Sequence, residues 1–304
     1  MKYDEGSRID LSGVQDRRRG GGGKGIAIGG GGVGIVGVVI YLLVSVLGGS
    51  GGDSQAITSV LGQLGSGQTA DNSEIAAECQ TGADANSNRD CAVVADIDSI
   101  QDYWRGALPA VGTDYVDVPT IFFSGSTSTG CGQADSGTGP FYCPADQRVY
   151  IDLSFYDELQ TTFGAEGGLF VDAYVIAHEY GHHVQDLLGT NAKVQPGDSG
   201  PTSGSVRLEL QADCYAGVWA KNATTTPTDS GRPLTTEITQ DDISRALDAA
   251  SRIGDDYIQT QVSGGTNNPG AYTHGTSAQR EKWFTTGYQS GDPAGCDTFG
   301  AQAL

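Results

Sequence analysis

Basic residues are scarce in this sequence, with 17 Lys and Arg against 37 Asp and Glu. The resulting net charge of −20 excludes nucleic acid and anionic lipid as partners for the folded part. What positive charge there is gathers at the start. Residues 1–25 carry six basic and four acidic side chains, leaving eleven basic and thirty-three acidic for residues 26–304. Histidine occurs only four times, so a metal site built on imidazole has few candidates. No Cys-x-x-Cys pair occurs among the six cysteines, which argues against a cysteine zinc site and for disulfides. Internal repeats and a second linker are also absent, and the 304 residues do not divide clearly into several folded domains.

Charge is missing altogether from residues 26–47, a stretch long enough to cross a bilayer core as a helix. A cleavable signal peptide is the competing reading. The run leads into Gly48, Gly49 and Ser50 rather than a small-x-small cleavage site, so a retained transmembrane helix is favoured. Arg17, Arg18, Arg19 and Lys24 precede this span with no counterpart directly after it. The positive-inside rule then makes residues 1–25 a basic cytoplasmic tail of a single-pass protein of the cell membrane. Residues 48–75, rich in Gly and Ser, read as a flexible tether, and residues 76–304 as one extracytoplasmic domain. All six cysteines follow the span, where disulfides persist. The favoured pairs are Cys79 with Cys91 and Cys131 with Cys143, each closing a short loop, which leaves Cys214 for Cys296.

Within that domain, residues 92–104 have helical spacing, while 118–123 and 148–153 are β-branched and aromatic and predict strands. A longer apolar helix is expected over 169–188, stopped by Gly189. Further helices are expected over 205–220 with Ser205 as cap, from Thr239 to about residue 259, and from Thr276 to about 288. Thr239 with Asp242 and Thr276 with Gln279 resemble capping boxes. The fold class is α+β.

The chemistry lies in His178-Glu179-Tyr180-Gly181-His182. Positions four apart on a helix share one face, so both imidazoles can reach one metal ion, and zinc suits neutral imidazole. Glu179 is placed to take a proton from a water that the ion polarises, without itself ligating. A catalytic zinc wants a third protein ligand. Glu209 on the next helix is the choice, and Asp213, four residues on, is placed to accept a hydrogen bond from the far nitrogen of a ligand histidine. His183 points off the metal face and reads as structural. His274 precedes a helix start and could be an oxyanion donor, an alternative third ligand or, as most loop histidines are, neither.

With these residues in view, the chain resembles the bacterial neutral zinc metallopeptidase family. The resemblance covers the basic tail and span, Gly139-Pro140-Phe141-Tyr142-Cys143-Pro144, Val149-Tyr150-Ile151-Asp152, the His178 helix, Glu209 to Cys214, and His274-Gly275-Thr276-Ser277-Ala278-Gln279-Arg280 with Trp283-Phe284. It implies a zincin-like fold in which His178, His182 and Glu209 bind Zn2+, Glu179 is the base, and the substrate is a peptide or protein. His274 or, less favourably placed, Tyr180 would steady the oxyanion, and the stretch from Phe141 to Leu153 would supply an edge strand for an extended peptide. A non-catalytic surface module stabilised by zinc and disulfides, binding another protein, is the alternative from another class. Hydrolysis of an amide in cell-wall material is a second.

Overall fold

The computed structural model describes residues 1–18, 69–228 and 231–304. The span expected at 26–47 and the tether up to residue 68 lie outside these. Among the described residues no helix is long and apolar enough to cross a membrane. The fold is mixed α+β. Its strands are β1 (Lys2–Tyr3), β2 (Val14–Asp16), β3 (Thr120–Phe123), β4 (Ser126–Thr129), β5 (Gly132–Asp135), β6 (Phe141–Cys143), β7 (Arg148–Asp152) and β8 (Thr235–Glu237). The helices of seven or more residues are α1 (Arg89–Ala107), α2 (Phe155–Thr161), α3 (Leu169–Leu187), α4 (Gly204–Asn222), α5 (Gln240–Arg252) and α6 (Ser277–Ser290).

The main sheet has the order β2-β3-β7-β6. β3 runs parallel to both β2 and β7, and β6 returns antiparallel to β7 as an edge. All four residues of β3 are buried, as a strand covered on both faces requires. On one face Ile121, Phe123, Phe141 and Tyr150 form a small cluster with Cys131 and Cys143. The other face joins the main core, where α3 packs against α1 and α4. α6 lies on α4, and glycine sets how closely. A methyl on Gly287 would overlap the Cys214 carbonyl, and one on Gly217 would overlap that of Phe284.

The amino terminus departs from the expected layout. Residues 1–18, most of the supposed cytoplasmic tail, pack into the same fold as the rest. β2 pairs with β3, β1 pairs with β8, and Tyr3, Ile9 and Val14 are buried in the main core. The Tyr3 hydroxyl donates to Asp96 at 2.8 Å, and the Asp10 N–H to Asp98 at 2.9 Å. Arg18, read as part of a membrane-flanking cluster, instead pairs with Asp16 and Asp90. The domain therefore begins before residue 76. Asn72, within the supposed tether, accepts from the Asp16 N–H and donates to the Val14 carbonyl, and a short helix at Ser73–Glu78 follows it.

Three disulfides join Cys79 to Cys91, Cys131 to Cys143 and Cys214 to Cys296, the pairs that the loop lengths favoured. Both capping boxes form, at Thr239 with Asp242 and at Thr276 with Gln279. Two helix boundaries differ from expectation. Ser203, not Ser205, caps α4 through its side chain. α5 ends at Arg252 rather than near residue 259, since the chain turns at Gly254 and resumes as a helical turn, Asp255–Tyr257, and a π-helix, Ile258–Val262.

Candidate metal centre

α3 brings His178 and His182 to one face a turn apart, with ring centroids 4.8 Å from each other. The helix crosses α4 at Gly181, where a methyl would come within 2.9 Å of the Ala212 Cα. That close approach carries Glu209 to the imidazoles. Its Oε2 lies 3.2 Å from His178 Nε2 and its Oε1 3.4 Å from His182 Nε2. Ligand atoms around a tetrahedral zinc are about 3.3 Å apart, given bonds of about 2.0–2.1 Å. Donor atoms from His178, His182 and Glu209 all lie within 4.8 Å of one another, and among the described residues these three form the group able to hold a metal ion.

Each imidazole is aimed by a partner on its far nitrogen. His178 Nδ1 is 2.9 Å from Asp213 Oδ1. His182 Nδ1 is 2.9 Å from Gln185 Oε1, and the Gln185 amide nitrogen donates to the Leu208 carbonyl at 2.7 Å. Because that carbonyl needs a donor, the amide oxygen must face His182, so Nδ1 carries the proton and Nε2 is left bare.

The carboxylates set the charge. Burial alone would raise Asp213, but the Arg280 guanidinium and His178 hold it down at about 2. Glu209 is likewise held below the carboxylate range, with the two imidazoles outweighing its burial. Against its own burial, His178 is raised by the charge and hydrogen bonds of Asp213 and Glu209. In the metal-free protein a proton thus sits on His178 between two anions, in a place that a divalent cation can take over.

Glu179 stands apart from the three donors. It is 8 % exposed and its Oε2 accepts the Tyr142 N–H of β6 at 2.9 Å. Burial pushes it up to about 7, with His178 opposing and Glu209 adding. His274 also lies outside the donor group. Its N–H donates to Asp255 Oδ2 at 2.7 Å, and its Nδ1 is 3.0 Å from the Thr273 hydroxyl. The structure thus gives no support to His274 as third ligand, yet His274 lines the same cavity as the donors. Tyr180 points away, with its hydroxyl bonded to Thr120 and the Val118 carbonyl. His183 does too, with Nε2 2.7 Å from the Val116 carbonyl.

The cavity has a volume of about 170 Å³. Phe155, Phe163, Val175, Ile253 and Ile258 give it an apolar wall beside the polar cluster. Arg280 and Gln185 bond to this centre and Asp255 to His274, and sequence reasoning gave none of the three a role, while Tyr142 was read only as part of an edge strand. Gln185 left a signal, being a buried polar residue three positions after His182. Arg280 left only its place in the His274 to Arg280 motif.

Fold and site together define an α+β protein with a candidate metal centre held between two adjacent helices. The chain belongs to the family described as “Putative neutral zinc metallopeptidase”, which it matches over residues 2–299. It is 51% identical over 228 residues to the uncharacterized protein Rv2575 of Mycobacterium tuberculosis (strain H37Rv), covering 75% of this chain and 76% of that one. The uncharacterized protein Mb2605 of Mycobacterium bovis matches equally. The uncharacterized protein YpfJ of Escherichia coli K12 is 46% identical over 207 residues, 66% of this chain and 68% of its own. No solved structure matches the chain significantly.

Proposed function

We propose that the protein hydrolyses peptide bonds at a zinc ion held by His178, His182 and Glu209, with Glu179 carrying the proton. The observation behind this is a set of three convergent donors with a further acid beside them, in the same cavity but outside the donor group. A zinc ion there would polarise the carbonyl under attack and acidify a water. Glu179, a carboxylate beside the donors, can take a proton from that water and return it to the leaving amine. The Tyr142 N–H grips one of its oxygens and so fixes the direction of the carboxylate. That His274 lines the same cavity, with its backbone N–H held by Asp255, supports a role for it as donor to the oxyanion.

The edge strand β6 borders the cavity and suits an extended peptide, whose apolar side chains the wall accepts. A purely structural zinc would call for a fourth protein donor, and the group among the described residues has three. The three disulfides support a location outside the cytoplasm. The test compares the wild type with Glu179→Gln for zinc content and for cleavage of a mixed peptide library. Both are expected to hold about one zinc, with cleavage lost about 100-fold or more in the variant. Equal cleavage by both would remove Glu179 from the mechanism, and zinc-loaded protein that cleaves no peptide would overturn the peptidase reading.

A further inference from the structure

Arg280 is buried, 3 % exposed, and reaches the centre from α6. Its Nε donates to Asp213 Oδ2 and its Nη2 to Asp213 Oδ1, each at 2.9 Å. This is a two-pronged grip on a carboxylate that is itself fully buried. The Tyr174 hydroxyl donates to the same Oδ1 at 2.6 Å, and Arg280 Nη2 lies 3.3 Å from that hydroxyl. One more bond, from Nη1 to the Ile253 carbonyl at 3.3 Å, fixes the other arm.

From this geometry we propose that Arg280 is a positioning residue which sets the metal affinity of the site by holding Asp213 as the acceptor for His178. Three donors converge on Asp213 Oδ1: Tyr174, Arg280 and the His178 Nδ1–H. A guanidinium offers only donors, so Arg280 cannot accept the His178 proton. Its Nη2 also lies 3.4 Å from His178 Nδ1, but two N–H donors meet there and form no bond, so its hold on the ring runs through the carboxylate. The imidazole is then fixed with Nδ1 on Asp213 and Nε2 turned to Glu209, 3.2 Å away, which leaves Nε2 as the nitrogen that would exchange its proton for a metal ion. Lysine would keep the charge but present a single point in place of the fork, and the carboxylate would be free to turn. The backbone contacts of Gly217 and Gly287 that seat α6 on α4 also carry Arg280 to its place.

The inference rests on reading the His178, His182 and Glu209 cluster as a metal site, and its test needs no catalysis. Zinc affinity of the metal-stripped full chain is measured by competition with a chromophoric chelator, and cobalt(II) absorption reports the coordination geometry. Arg280→Lys is expected to fold, to bind zinc about tenfold more weakly and to shift the cobalt bands, in line with what loss of a ligand's supporting partner does. Arg280→Met is expected to weaken binding further, and if it fails to fold the lysine variant carries the test. In an Asp213→Asn background, Arg280→Lys should cost nothing more, because the route through Asp213 is already cut.

A merely structural role would lower thermal stability in both backgrounds and leave the cobalt spectrum of the folded protein unmoved. An Arg280→Lys variant with wild-type zinc affinity and spectrum overturns the proposal, as does an equal loss in both backgrounds. If the wild type takes up neither zinc nor cobalt, the metal reading falls and this inference with it. If the wild type binds and Arg280→Lys binds equally, the inference alone falls.

Discussion

Glu209 meets His178 with one oxygen and His182 with the other, so each imidazole must be turned independently to face it. The two are turned by different chemistry. Asp213 is a charged acceptor held by Arg280, whereas Gln185 is a neutral amide held by the Leu208 carbonyl. Gln185→Leu keeps much of the buried volume but removes the acceptor for His182 Nδ1. Zinc affinity should fall about tenfold while the fold survives, measured by chelator competition and thermal melting. Gln185→Glu, which still accepts, should recover part of the loss. At this scale the sequence was informative where spacing alone fixes geometry. The pair His178 and His182 is legible because four residues make about one turn, and Glu179 follows from it. Arg280 was not legible, since its role depends on how α6 lies on α4, which no local pattern encodes.

Helix contact distances decide whether these side chains meet. Gly181 lets α3 approach Ala212, and Gly217 with Gly287 let α4 and α6 sit backbone to backbone. Gly287→Ala puts a methyl against the Cys214 carbonyl, so α6 must move outward. A destabilisation of about 2–3 kcal/mol is expected, read as a lower urea midpoint, together with weaker zinc binding as Arg280 withdraws from Asp213. An unchanged midpoint would show that the helices have slack the backbone contacts do not suggest. Helix starts were readable from sequence because capping residues act locally, as at Thr239 and Thr276. The early end of α5 was not. The break there frees Asp255 to accept the N–H groups of Thr273, His274 and Gly275, a long-range reward that helical periodicity cannot register.

For the whole molecule, the docking of residues 1–18 carries a pH dependence. Asp98 on α1 accepts the Asp10 N–H, and burial pushes it up to about 7 despite that bond. A folded value above the unfolded one of about 3.9 means the fold holds a proton that the unfolded chain releases. The contribution of Asp98 is therefore fully present below about pH 4 and lost as pH rises through 7. Asp98→Asn cannot ionise yet still accepts from Asp10. Its unfolding free energy from urea titration should exceed that of the wild type at pH 8, by about 1 kcal/mol or more, and the gap should close as pH falls to about 4. A difference independent of pH would rule out Asp98 as the group responsible. The sequence obscured this docking because β2, Val14-Gln15-Asp16, is three residues long with one apolar side chain, too short for any periodicity to register.

The bond from the Asp16 N–H to Asn72 joins residues 56 positions apart. Two residues that share a hydrogen bond occupy one aqueous phase. With β2 paired to β3, residues 14–16 and the imidazoles of α3 belong to one folded unit, so whatever unseats the amino-terminal strand also bares the sheet beside the metal centre.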